Sequence, residues 1–125
     1  MAEPIRLLVV DDALEHARMV EEFIRSSDAW ADADVRIAVS YDEALDAFKA
    51  REFDVAFFDY WLGARDGLSL LREIRQHGFD TPVVVLTGRG AEDVAVEAMK
   101  AGAADYLNKI VTVQGAVQGE PIGVP

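Results

Sequence analysis

The stretch that decides the fold is residues 5–12, which read IRLLVVDD. It is apolar and rich in branched residues until it ends in two acids, Asp11 and Asp12. A nearly continuous apolar run is typical of a strand buried on both faces of a parallel sheet, and the acids mark its carboxyl end. The same pattern recurs at residues 55–58 (VAFF), which are followed by Asp59. The two stretches predict parallel strands that bring acids to the same edge of one sheet.

Amphipathic helices are predicted between the apolar stretches, because apolar residues recur there with the spacing of one helix face. Ser40 and Glu43 form a capping box at the start of the second helix. Gly78 is placed to end the third helix, and Gly102 the fourth. The apolar positions of the four helices are Ala13, Ala17, Val20 and Ile24; Tyr41, Ala44, Leu45 and Phe48; Leu70, Leu71 and Ile74; and Ala91, Val94, Ala95 and Ala98.

Five strands alternate with these helices through short connections. The predicted strands are residues 5–10, 35–39, 55–58, 82–86 and 104–107, with Val35, Ile37 and Val39 sharing one face of the second, and residues 26–34 are predicted as a loop. A β-α-β order with apolar strands requires a parallel sheet joined by right-handed crossovers. The fold class is therefore α/β, a doubly wound five-stranded parallel sheet with helices on both faces.

Composition limits what this domain can bind. The chain has 125 residues, of which 51% are hydrophobic and none is cysteine, so we expect one globular domain without disulfides or thiolate metal sites. Twelve Lys and Arg against 23 Asp and Glu leave a net charge of −11. Such a chain repels nucleic acid and anionic membranes unless it carries a basic stripe, and none is present. We expect a soluble, cytoplasmic protein with no direct nucleic-acid or membrane partner.

The last sixteen residues, 110–125, depart from the pattern. They read IVTVQGAVQGEPIGVP, with one charge, three glycines, two prolines and no helical periodicity. We therefore divide the chain into a domain at 1–109 and an irregular tail at 110–125 that replaces a fifth helix. One face of the sheet would then be covered by the first helix alone, so we expect either this tail or a second copy of the chain, in a homodimer, to cover the rest.

Polar residues follow four of the five predicted strands, and they combine into one site. Asp11, Asp12 and Asp59 would repel one another unless a divalent cation lay among them, and Mg²⁺ is the ion that suits a few carboxylates and a phosphoryl oxygen. Thr87 adds a hydroxyl donor and Lys109 a positive charge. This set of groups predicts transfer of a phosphoryl group to a carboxylate nucleophile.

These residues resemble the receiver domain of two-component response regulators, over residues 5–109. Each match is weak alone, but all five in this order form a specific signal. The resemblance implies a flavodoxin-like sheet with the strand order 2-1-3-4-5. The five matches are the pair Asp11-Asp12, the single Asp59 after an apolar run, the step Thr87-Gly88, Tyr106 two residues after Ala104, and Lys109 at the end of the fifth strand.

The resemblance also implies roles for individual residues. Asp59 would be the phosphoacceptor, and the donor would be a phosphohistidine of a sensor histidine kinase or a histidine phosphotransfer protein. Asp12 and Asp59 would ligate Mg²⁺ directly, Asp11 partly through water, and the backbone carbonyl of Trp61 would be a further ligand.

The remaining implied roles concern the phosphorylated state. Lys109 would pair with a phosphoryl oxygen, Thr87 would move toward the phosphate, and Tyr106 would turn inward with it. The resemblance therefore implies a conformational switch rather than an enzyme.

The sequence departs from the family pattern at three places. Ile110 follows Lys109 where the family usually has proline, and Gly63 stands where many members have proline. The tail also lacks the sequence pattern of a fifth helix. Two alternatives stay open: a phosphorylation-independent interaction module of the same fold, and a phosphohydrolase with an aspartyl nucleophile. Such hydrolases have a second acid two residues after the nucleophile, and here that position is Trp61, either a shield for the site or a half-exposed loop aromatic.

Overall fold

A computed structural model of the chain describes residues 3–87 and 92–108. Lys109, the tail at 110–125 and the segment 88–91 lie outside the described residues. The strands are β1 (Arg6–Val10), β2 (Asp34–Ala38), β3 (Val55–Asp59), β4 (Trp61–Leu62), β5 (Arg65–Asp66), β6 (Val83–Thr87) and β7 (Asp105–Asn108). The helices are α1 (Leu14–Arg25), α2 (Tyr41–Ala50), α3 (Gly67–Gln76) and α4 (Glu92–Lys100), and Asp28–Trp30 forms a 3₁₀ turn.

Five strands form one parallel sheet in the order β2-β1-β3-β6-β7. Counted over these five alone, this is the predicted order 2-1-3-4-5, so the flavodoxin-like fold class is confirmed. Val10 of β1 lies opposite Phe58 of β3, and Asp59 of β3 lies opposite Leu86 of β6. This register brings the carboxyl ends of the three central strands to the same edge of the sheet.

One face of the sheet packs against α2, α3 and α4. Its buried side chains include Phe58 and Val85 from the strands, together with Leu70, Leu71 and Ile74 from α3. The three α3 residues are the predicted apolar stripe of that helix. They recur at the helical period, whereas the strand residues alternate between faces, so both groups meet in one core.

The other face packs against α1 and the 3₁₀ turn. Ala17, Val20 and Ile24 of α1 are buried there, as the helical spacing predicts. Trp30 also covers this face of the sheet: its ring packs edge-on against Phe57, with the centroids 6.2 Å apart. The prediction of a loop for residues 26–34 missed this contact. The predicted cover by the tail or by a second copy concerns residues outside the described part of the chain and stays a prediction.

Local signals set several element ends. The Ser40 hydroxyl oxygen accepts a hydrogen bond from the Glu43 backbone N–H at 3.1 Å, as the capping motif predicts. Gly78 ends α3 with φ +88°, a conformation that glycine adopts without a steric penalty. The prediction for Val39 was wrong: β2 ends at Ala38, and Val39 is exposed. No helix among the described residues is long and apolar enough to cross a membrane.

Candidate functional site

The three predicted acids converge at the carboxyl edge of the sheet. The carboxylates of Asp11, Asp12 and Asp59 each offer an oxygen, and these oxygens lie within 4.8 Å of one another. Asp11 is 1% exposed and Asp59 is 6% exposed, whereas Asp12 faces solvent. Two buried acids beside an exposed one form a negative pocket that is open on one side.

Asp11 is held by the backbone around it. Its N–H donates to the Ala38 carbonyl of β2 at 3.1 Å, which extends the sheet pairing by one residue past β1. Its Oδ1 accepts from the N–H of Ala13 at 2.9 Å in the turn that leads into α1. One carboxylate oxygen of Asp11 therefore orders the strand-to-helix turn.

Asp59 is held by the start of α3. The N–H of Gly67 donates to the Tyr60 carbonyl at 2.7 Å, and the N–H of Tyr60 donates to the Leu86 carbonyl at 2.7 Å. A Cβ atom at Gly67 would lie 2.4 Å from the carbonyl oxygen of Asp59, so only glycine fits there. This role of Gly67 was not predicted, although the Asp66-Gly67 pair just before an apolar helix stripe was a usable signal.

The loop predicted between Asp59 and α3 contains a small antiparallel hairpin. β4 pairs with β5, with Trp61 opposite Asp66 and Leu62 opposite Arg65. Asp66 also caps α3, because its Oδ1 accepts from the N–H of Ser69 at 2.7 Å. The hairpin thus connects the Asp59 strand to the helix that packs beneath it.

Trp61, two residues after Asp59, points away from the core. It is 63% exposed, and its ring meets the ring of Tyr60 edge-on with the centroids 4.7 Å apart. Of the two interpretations of Trp61, the exposed aromatic agrees with this exposure. The position offers no carboxylate, so the second acid that an aspartyl phosphohydrolase places there is absent.

The other predicted site residues lie on β6 and β7. Thr87 ends β6 at the same edge as the acids, and it is buried, with 3% exposure. Tyr106 of β7 lies opposite Val85 and is half-buried against the core formed with α2, α3 and α4. Lys109 lies outside the described residues.

The donors in this pocket fit a hard divalent cation. All three side chains offer carboxylate oxygens, which are the ligands that Mg²⁺ takes in proteins. Burying like charges side by side is unfavourable, and a divalent cation offsets that repulsion. The cluster could therefore hold a divalent cation such as Mg²⁺.

Comparison with curated proteins returns response regulators. The chain is 38% identical over 106 residues to the response regulator MprA of Mycolicibacterium vanbaalenii, covering 85% of this chain and 44% of that protein. It is 33% identical over 109 residues to the transcriptional regulatory protein ZraR of Klebsiella oxytoca, covering 86% of this chain and 23% of that protein. The chain spans less than half the length of both relatives.

Solved structures show the same fold. A response regulator from Chloroflexus aurantiacus superposes with a TM-score of 0.79 at 34% identity, covering 94% of each chain. The signal receiver domain of the response regulator NarL from Mycobacterium tuberculosis gives a TM-score of 0.76 at 26% identity, also covering 94% of each chain. Residues 7–118 match the response regulator receiver domain family. The chain belongs to that family: it is a receiver domain of the kind found in two-component response regulators.

Proposed function

We propose that Asp59 is the phosphoacceptor of this receiver domain and that it takes the phosphoryl group from a phosphohistidine. The donor would be a sensor histidine kinase or a histidine phosphotransfer protein. The observation that supports this most directly is the position of the Asp59 carboxylate, buried at the end of β3 and within 4.8 Å of the other two acids. A nucleophile in such a cluster can attack an anionic phosphoryl group only when the local negative charge is offset.

The residues that would hold Mg²⁺ are Asp12, Asp59, Asp11 partly through water, and the backbone carbonyl of Trp61. When bound, the ion would neutralise the acids and polarise a phosphoryl oxygen. Asp11 contributes order as well as charge, since its Oδ1 is already bonded to the Ala13 N–H at 2.9 Å. The ligand set would therefore be supported by a backbone that is fixed before the ion arrives.

The proposed transfer is one displacement at phosphorus. A carboxylate oxygen of Asp59 attacks, a P–O bond forms, and the P–N bond to histidine breaks. The imidazole nitrogen leaves with the electron pair, and a proton on the other ring nitrogen makes the departing histidine neutral. Lys109 would pair with a phosphoryl oxygen during this step, and the Thr87 hydroxyl would donate to another afterwards. Attack of water on the same phosphorus later returns Asp59 and inorganic phosphate.

The proposed consequence is a shift between two conformations rather than turnover of a substrate. New hydrogen bonds from Thr87 to the phosphoryl group would favour a state in which Tyr106 lies further inward. Tyr106 supports this role because it is half-buried against the core of the α2, α3 and α4 face, so a change of its rotamer would change how far the ring is exposed.

The test is the intact mass of the chain after treatment with phosphoramidate, with and without Mg²⁺. We expect a gain of one phosphoryl group in the wild type that requires Mg²⁺ and disappears in Asp59→Asn. The matched control is Asp54→Asn, which alters an exposed acid before the same strand and should keep the gain.

Two outcomes would contradict the proposal. A wild type that never gains mass would leave the phosphorylation-independent interaction module as the better reading. Steady hydrolysis of phosphomonoesters, lost in Asp59→Asn, would instead indicate the phosphohydrolase.

A further inference from the structure

The side chain of Arg65, in the β4–β5 hairpin, lies over the face of the Tyr41 ring in α2. The guanidinium carbon of Arg65 is 4.2 Å from the ring centroid of Tyr41, the first residue of α2. A cation at this distance from an aromatic face is attracted by the negative charge of that face. Arg65 itself is exposed, whereas Tyr41 is only 7% exposed, so the ring is a fixed platform and the arginine is the group placed on it.

Tyr41 is held on its other side by α3. Its hydroxyl donates to Glu73 Oε1 at 2.6 Å and lies 3.3 Å from the Ser69 carbonyl oxygen. Burial and the neighbouring Glu73 raise the pKa of Tyr41 to about 12. The ring therefore stays neutral near pH 7, and its position is set by two helices rather than by the hairpin.

The tip of the hairpin, Gly63 and Ala64, is exposed. Two antiparallel strands of two residues each are marginal by themselves. Gly63 in the turn has φ +80°, and a Cβ there would have nothing within 4 Å. The Leu62 side chain is buried, and the Asp66 side chain accepts a hydrogen bond from α3. The turn between these two residues depends on the pairing of Leu62 with Arg65.

We infer that Arg65 is a positioning residue for the proposed Mg²⁺ site. By resting on Tyr41 it restrains the β4–β5 hairpin, and with it the backbone carbonyl of Trp61, two residues after Asp59. The inference rests on the proposed function, because Trp61 is a ligand only in that proposal. Gly63 lies in the turn of this hairpin, where many members of the family have proline. The Arg65 contact with Tyr41 restrains this turn from outside.

The sign of the effect separates positioning from simple electrostatics. Removing a positive charge from a chain of net charge −11 should by itself strengthen the binding of a cation. Losing the stacking should weaken it, because the Trp61 carbonyl is then less well positioned before the ion binds. The two explanations therefore predict opposite changes in Mg²⁺ affinity.

The experiment is a calorimetric titration of the whole chain with Mg²⁺ for the wild type, Arg65→Ala, Arg65→Lys and Arg72→Ala. Arg72 is the matched control, a half-exposed arginine on α3 that pairs with Glu97 at 3.7 Å instead of with Tyr41. We expect Arg65→Ala to bind Mg²⁺ about two- to fivefold more weakly, which is the range that one exposed cation–π contact allows. Arg65→Lys keeps a cation over the ring and should recover most of the affinity, and Arg72→Ala should bind at least as tightly as the wild type.

Hydrogen exchange gives a readout that does not depend on the metal. Without Mg²⁺, backbone amides of residues 61–66 should exchange faster in Arg65→Ala than in the wild type, while amides of β1 and β3 should not change. Unchanged exchange in the hairpin, or Mg²⁺ binding in Arg65→Ala as tight as in the wild type, would overturn the inference alone. A wild type that binds no Mg²⁺ would overturn the proposed metal site, and the positioning role with it.

Discussion

The two edges of the sheet use the same residue type in opposite ways. At the carboxyl edge, Asp11, Asp12 and Asp59 bring their oxygens within 4.8 Å of one another, and two of the three are buried. At the amino edge, Asp54 lies just before β3 and is exposed, and its Oδ2 accepts the Arg6 N–H at 2.7 Å. Asp34 at the start of β2 pairs with Arg51.

The difference shows how an acid can be placed for structure or for binding. The amino-edge acids each meet a positive or N–H partner from a remote part of the chain, so they contribute to stability and do not depend on a ligand. The carboxyl-edge acids are placed against one another as well, and the repulsion among the three carboxylates is a cost that a cation would lower. Only the second arrangement is useful for binding, and it depends on a fold that holds the acids together.

The largest effect should come from the glycines at the two edges. Gly67→Ala puts a Cβ 2.4 Å from the Asp59 carbonyl oxygen, so we expect a loss of about 3 kcal/mol in the free energy of unfolding. Gly78→Ala, beyond the opposite end of α3, meets nothing within 4 Å and should lose only about 1 kcal/mol through its positive φ. Urea denaturation of both variants measures this. Equal losses would mean that α3 does not press on Asp59.

A smaller effect should come from the acids themselves, and it should differ in sign between the edges. Without Mg²⁺, Asp12→Asn relieves repulsion in the acid cluster and should stabilise the chain by about 1 kcal/mol. Asp54→Ala removes the acceptor for the Arg6 N–H and should destabilise it by about 0.5–1 kcal/mol. Thermal unfolding in a chelator, repeated with saturating Mg²⁺, checks both.

Mg²⁺ should reverse the order of stability of the wild type and Asp12→Asn, and it should not do so for Asp54→Ala. With Mg²⁺ at about 100 times its Kd, the wild type should gain about 2.7 kcal/mol of stability. Asp12→Asn should lose most of that gain, while Asp54→Ala should keep it. A destabilised Asp12→Asn in chelator would contradict the repulsion that we infer among the three acids.

The smallest effect should appear in acid. The hydrogen bond from Arg51 holds the pKa of Asp34 below its ordinary value. A lowered pKa means that the pair stabilises the fold above the unfolded pKa of about 3.9 and that this contribution is lost as the pH falls through the folded value. Asp34→Asn should therefore lose less stability than the wild type between about pH 5 and pH 2.5, and denaturant titrations over that range measure the difference.

Arg51→Gln tests the same pair from its other side. It should show the same reduced acid sensitivity, because the Asp34 carboxylate then has lost its main partner. If the free energy of unfolding of both variants falls as steeply with decreasing pH as that of the wild type, the pair does not contribute to stability.

Much of the fold could be predicted because its signals are local. Apolar residues recur along the strands and helices with periods that the backbone imposes. A change from apolar to polar residues marks the end of each strand. For the same reason the sequence assigns the acids to one edge of the sheet. The Ser40 cap was also local, since both of its groups lie within three residues.

The features that could not be predicted depend on contacts between distant parts of the chain. Trp30 covers Phe57 from a segment predicted as a loop, and Val39 falls just past the end of its strand. The hairpin after Asp59 is too short for a period to develop. The placement of Arg65 on Tyr41 joins residues 24 positions apart and has no signature in either neighbourhood.

The α/β class, the number of long strands and the carboxyl-edge location of Asp11, Asp12, Asp59 and Thr87 follow from the sequence alone, because backbone periods and strand ends are local features. The distances among the three acids, the close approach of Gly67 to the Asp59 carbonyl and the contact of Arg65 with the Tyr41 ring come from the tertiary fold. These depend on sheet register and helix packing, which sum many weak contacts between remote residues.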